Sequence, residues 1–173
     1  MTSGDAPEIG GIVTAPGRAE QKGGNSTWRV LAKFSVASEP GNERLAMERV
    51  AEVVKELGLS KERLERLKTA VAEATMNAME HGNRYNPDVP VKIQVWFLED
   101  RLLVRIIDRG SAPLPSSTKE VPDLETKLES MQTPRGWGLF LIQNMVDEIR
   151  VSAKPDHHTI ELVMHLGDGE GGS

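Results

Sequence analysis

A chain of 173 residues with 38% hydrophobic and 27% charged side chains has single-domain length and enough apolar material to bury a core. Its net charge of -5, with 21 Lys and Arg scattered along the chain, excludes the concentrated basic stripe of a nucleic-acid binder. The absence of cysteine excludes disulfides, thiolate metal sites and cysteine nucleophiles; no apolar run nears the roughly 18 residues of a membrane span and no leader pattern opens the chain, so the expected compartment is the cytoplasm.

Residues 1–26 are rich in Gly, Ala, Ser, Thr and Pro without an apolar period, and are expected to be a flexible tail. WRVLAKFSV then alternates Trp28, Val30, Ala32 and Phe34 against Arg29, Lys33 and Ser35, which predicts a half-buried strand. From Glu43 to Leu57 the apolar residues Leu45, Val50, Val53, Val54 and Leu57 recur at helical spacing, and Gly58 stops that helix. Ser60 caps a second helix whose stripe is Leu64, Leu67, Val71, Ala74 and Ala78, with Gly82 at its end.

After the turn signals Asn86-Pro87-Asp88 and Pro90, VKIQVWFL and LLVRIID read as a hairpin broken at Glu99-Asp100-Arg101. A loop rich in proline, Gly110 to Arg135, follows, with room for one short helix in VPDLETKLES. GWGLFLIQNMVDEI predicts a third helix from Leu139 to Ile149, RVSAK and TIELVMHL two more strands, and 167–173 a polar tail. Strand, two helices, two strands, loop, helix and two strands make an α/β two-layer sandwich, a mixed and largely antiparallel sheet covered on one face by helices.

Three short stretches carry candidate chemistry. In VAEATMNAMEHGN, residues 71–83, Glu73, Asn77 and His81 recur four apart along the polar flank of the second helix. The spacing permits a site, and equally suits an ordinary amphipathic helix with His81 packed at its boundary. IIDRG, residues 106–110, delivers Asp108 to a strand end, where it is either a turn residue or an acceptor for an exocyclic amine, with Gly110 letting a flat ring approach the backbone. RGWGLFLIQN, residues 135–144, opens a helix on glycines whose free N–H groups suit phosphate oxygens, though no Gly-Lys-Ser/Thr follows as in a Walker loop.

These three stretches, in this order, resemble the N, G1 and G2 boxes of the GHKL nucleotide-binding superfamily, most closely the bacterial anti-sigma factors that are serine kinases. The resemblance spans about residues 28–166 and implies a Bergerat-type ATP-binding domain over 27–166, with an ATP lid at about 111–135. It implies ATP and Mg²⁺ as cofactors. Glu73 would be the general base, Asn77 the Mg²⁺ ligand, Asp108 the acceptor of the adenine amine, and Gly110 the floor under the base. Gly136 and Gly138 would approach the phosphates, Arg135 would meet the γ-phosphate, and Thr159 would stand beside the adenine carboxylate.

Two features depart from the family pattern. The first glycine box reads D-R-G-S-A-P and lacks the second glycine that many superfamily members have, and the lid sequence offers little that matches residue by residue. The implied function is a protein serine/threonine kinase that phosphorylates a small anti-sigma antagonist and sequesters a sigma factor, with a homodimer left open and neither nucleic acid nor membrane as a partner. The absence of a histidine-bearing helix pair before the domain argues against a sensor kinase, and that of a following transducer domain against a gyrase-like ATPase. A nucleotide-gated binding module or a hydrolytic ATPase could use the same boxes.

Overall fold

The computed structural model describes residues 27–110 and 141–166; the predicted tails and the long loop lie outside them. Strand β1 (Arg29–Val36) leads into helix α1 (Asn42–Val54) and a short 3₁₀ turn (Lys55–Leu57), then helix α2 (Lys61–Asn77), which ends in a π-helical turn (Ala78–Gly82). Strands β2 (Val91–Leu98) and β3 (Arg101–Asp108) form the predicted hairpin, and β4 (Glu148–Ala153) and β5 (His158–His165) close the chain. The sheet order is β1-β2-β3-β5-β4. Every pairing among these five strands is antiparallel.

Local signals explain the helix ends. Ser60 Oγ accepts the Arg63 N–H at 3.2 Å, the expected N-cap, and Gly58 takes the left-handed conformation that closes the 3₁₀ turn. Leu67, Ala70, Val71 and Ala74 of α2 are buried against Ile93, Val95, Leu102, Val104, Ile106, Ile160 and Leu162 of the sheet. Full burial of each leucine or isoleucine contributes about 1.5–3 kcal/mol, so this layer holds α2 in place.

Three predicted features differ. Strand β1 carries a register shift between Val30 and Ala32, so that Val30 pairs with Trp96 but Ala32 with Val95. One inserted residue reverses which face the side chains take, so Ala32 and Phe34 pack on the helix side while Trp28 joins Trp96, Leu103 and Val163 on the opposite side. The second helix is not α-helical to its end, because Asn83 N donates to Ala78 O at 2.9 Å across a widened π turn.

The third helix ends earlier than its apolar spacing suggested. Residues 141–145 are helical, whereas Ile149 lies in β4. The sheet captures this segment: Asp147 N donates to Val163 O at 3.0 Å and its carboxylate accepts the His165 N–H at 2.7 Å. Ile149 still packs on the core, which is why it fitted the helical stripe.

Candidate functional site

The π turn brings the C-terminal end of α2 against the end of β3. A Cβ on Gly82 would overlap the Asp108 carboxyl group outright, lying only 2.5 Å even from Oδ2. A Cβ on Gly110 would lie 2.8 Å from Asp108 Oδ1, from Gly82 Cα and from His158 Nδ1. Only glycine admits this close stacking of two backbone segments around one carboxylate. Asp108 is accordingly buried, 6% exposed, and its Oδ1 accepts the Gly110 N–H at 2.7 Å.

Asn83 locks the same junction. Its Oδ1 accepts the Arg109 N–H at 2.8 Å, while its Nδ2 donates to Ser38 Oγ and to Val89 O, each at 3.0 Å. Ser38 and Asn83 are both buried, so the bond between their side chains is shielded from competing water. Asn83 thus ties the residue after Asp108 to the end of the helix that carries Glu73 and Asn77. Sequence reasoning missed it because Asn after Gly reads as part of a turn.

Glu73 and Asn77 are half-buried, one helical turn apart on α2. Among the described residues neither side chain takes a hydrogen bond, so both keep their oxygens available. Burial, and after it the negative charge of Glu43 on the first turn of α1, raises the Glu73 carboxyl above its ordinary 4.5. His81, on the π turn, is half-buried with Nε2 3.8 Å from Glu80 Oε2, in keeping with a packing role.

The strand register corrects the expectation for Thr159. Thr159 pairs with Ile107 and so lies on the sheet face away from α2, whereas Asp108 pairs with His158. His158 is 2% exposed, and its Nδ1 lies 3.1 Å from Asp108 Oδ1. The residue beside the carboxylate is therefore a histidine. Arg135, Gly136 and Gly138, and the lid, lie outside the described residues.

No group of three His, Asp or Glu side chains able to cage a metal occurs among the described residues. A Mg²⁺ held mainly by phosphate oxygens needs no cage, and the unengaged Asn77 amide fits a single protein ligand of that kind. The same residues also include no helix long and apolar enough to cross a membrane.

An embedded strand-end carboxylate lies beside a glycine-terminated helix bearing Glu and Asn, and residues 36–164 match the model of the histidine kinase-like ATPase domain. The chain belongs to that family. An anti-sigma F factor of Bacillus velezensis is 30% identical over 135 residues, covering 78% of this chain and 90% of the relative. The serine-protein kinase RsbW of Listeria monocytogenes is 32% identical over 96 residues, 54% of this chain and 61% of the relative.

In three dimensions the chain resembles the structure of the RsbU and RsbW domains of Rv1364c from Mycobacterium tuberculosis, with a TM-score of 0.57 and 17% identity. That match covers 78% of this chain and 32% of the other, and it bears on the fold alone. The α/β sandwich expected from the element order is thus the family's fold, and membership of an ATPase domain family carries ATP binding with it.

Proposed function

We propose that this chain is an ATP-dependent protein serine kinase of the anti-sigma type. It binds Mg-ATP, phosphorylates a serine on a small anti-sigma antagonist and sequesters a sigma factor. The names of its relatives, anti-sigma F factor and serine-protein kinase, support this reading. The observation that carries it is the pair of unengaged side chains, Glu73 and Asn77, one turn apart on the helix whose end embeds Asp108.

Each residue has a chemical task. Asp108, held in place by Gly82 and Gly110, accepts the exocyclic amine of adenine. The Asn77 amide oxygen is a hard ligand that would hold Mg²⁺. When bound, the ion neutralises charge on the phosphates. Glu73 takes the proton from the serine hydroxyl as its oxygen bonds to the γ-phosphorus and the bond to the β-phosphate oxygen breaks. A carboxyl raised by burial is a stronger base than an exposed one, which suits that task. Gly136, Gly138 and Arg135 are assigned to the phosphates from their sequence pattern.

The test is direct. Mg-ATP labelled at the γ-phosphate is added, with the purified chain, to a soluble extract of its source organism, and Glu73→Ala is run in parallel. Label on a serine of a small protein with the unaltered chain alone supports the kinase. No transfer, with Mg-ATP binding demonstrated, overturns it in favour of a nucleotide-gated binding module.

A further inference from the structure

The oxygen Oδ1 of Asp108 accepts the Gly110 N–H at 2.7 Å and lies 3.1 Å from Nδ1 of His158. The histidine is well placed to hold that oxygen. It opens β5, directly opposite Asp108 on β3 and opposite Ala153 on β4, so strands on both sides constrain its backbone. Its side chain is 2% exposed and lies against the Gly110 backbone. A carboxylate beside the ring favours the tautomer that carries its proton on Nδ1, since the lone pair of the other tautomer would face negative charge.

We propose that His158 is a positioning residue for base recognition: by donating from Nδ1 to Asp108 Oδ1 it fixes the carboxylate plane that distinguishes a 6-aminopurine nucleotide from one lacking the amine. This rests on the reading that Asp108 accepts the adenine amine. Gly82 and Gly110 crowd the carboxylate, the Gly110 N–H donates to Oδ1, and the ring brings a second nitrogen to within 3.1 Å of the same oxygen. Rotation of the carboxylate would misalign its lone pairs with an incoming N–H, and hydrogen-bond strength falls steeply with angle. His158 need not touch the nucleotide to set the selectivity.

The experiment measures dissociation constants of the full chain for ATP and for purine riboside 5′-triphosphate, which lacks only the 6-amino group. His158→Asn keeps an N–H near the position of Nδ1, His158→Leu removes the donor at similar volume, and His158→Gln moves its amide beyond reach. The unaltered chain and His158→Asn are expected to prefer ATP, and in His158→Leu and His158→Gln that preference falls about tenfold, the order of one charged hydrogen bond. A merely structural role would weaken both nucleotides equally and leave the ratio intact.

An unchanged ratio in His158→Leu or His158→Gln overturns the proposal while leaving Asp108 as the adenine acceptor. If the unaltered chain shows no preference for ATP, the Asp108 reading itself fails, and the role of His158 fails with it. Should His158→Leu not fold, the contrast between the Asn and Gln variants decides.

Discussion

Replacing Gly82 by alanine perturbs the site at its tightest point. The added Cβ would overlap the Asp108 carboxyl carbon and reach within 2.5 Å of Oδ2. Asp108 cannot retreat without giving up the Gly110 N–H at 2.7 Å, and it is 6% exposed, so no solvent-filled space receives it. Overpacking of this kind costs about 1–3 kcal/mol. For a domain of this length that lowers Tm by roughly 2–12 °C. Displacing the carboxylate also forfeits its bond to the adenine amine, about 1.5–3 kcal/mol, so the Kd for ATP should rise roughly 10- to 150-fold.

Gly41→Ala is the control, because its Cβ meets nothing within 4 Å and only the backbone φ of +98° opposes it. That change should cost about 1–2 kcal/mol of stability and leave the Kd unchanged. Thermal melts and titration with a fluorescent ATP analogue separate the two effects. A folded Gly82→Ala chain that binds ATP as well as the original would refute the reasoning, and so would equal weakening by Gly41→Ala.

Glu73→Gln should leave the Kd for ATP within about twofold and reduce phosphoryl transfer by about 10²- to 10⁴-fold; retained transfer in a single-turnover assay would remove Glu73 from the base role. Because burial and Glu43 raise the Glu73 carboxyl, the acid limb of the transfer rate should lie above the ordinary 4.5, and Glu43→Gln should move it down. The linked stability has the opposite sense: the folded chain holds this proton more tightly, so stability falls as pH rises from 4.5 through the raised value, and Glu73→Gln should abolish that slope in urea titrations. On the far face of the sheet, Arg105 donates from Nε and Nη2 to Glu161 Oε1 at 3.0 and 2.9 Å, with the two side chains 9% and 15% exposed. Arg105→Ala should cost about 1.5–3 kcal/mol by removing both hydrogen bonds to Glu161, which keeps, among the described residues, only Arg150 Nη1 at 3.9 Å; denaturant unfolding detects this, while ATP affinity, proposed to be set on the other face, stays the same.

What the sequence determined by itself was whatever depends on neighbours along the chain. Ser60 as a cap, Gly58 as a stop and the hairpin of β2 and β3 follow from capping chemistry and from apolar periods of 3.6 and 2, and all are present. The candidates proposed for the site, Glu73, Asn77, Asp108 and Gly110, could equally be named from sequence, because an N–H acceptor, a hard ligand and a carboxylate are properties of single side chains. What tertiary structure alone decided was parity and closure.

Whether His158 or Thr159 stands beside Asp108 is a matter of one residue of register between β3 and β5, and a one-residue shift exchanges the two faces of a strand. The same rule placed Trp28 on the face away from the helices once β1 took in an extra residue. Ile149 fitted the third helix by spacing, but hydrogen bonds from Asp147 to β5 drew it into the sheet. The π turn and the Asn83 bonds to Ser38, Val89 and Arg109 join segments far apart in the chain, so no local pattern could announce them. Their cost and gain are settled only when the helix end meets the strand end, which is also where the proposed nucleotide site forms.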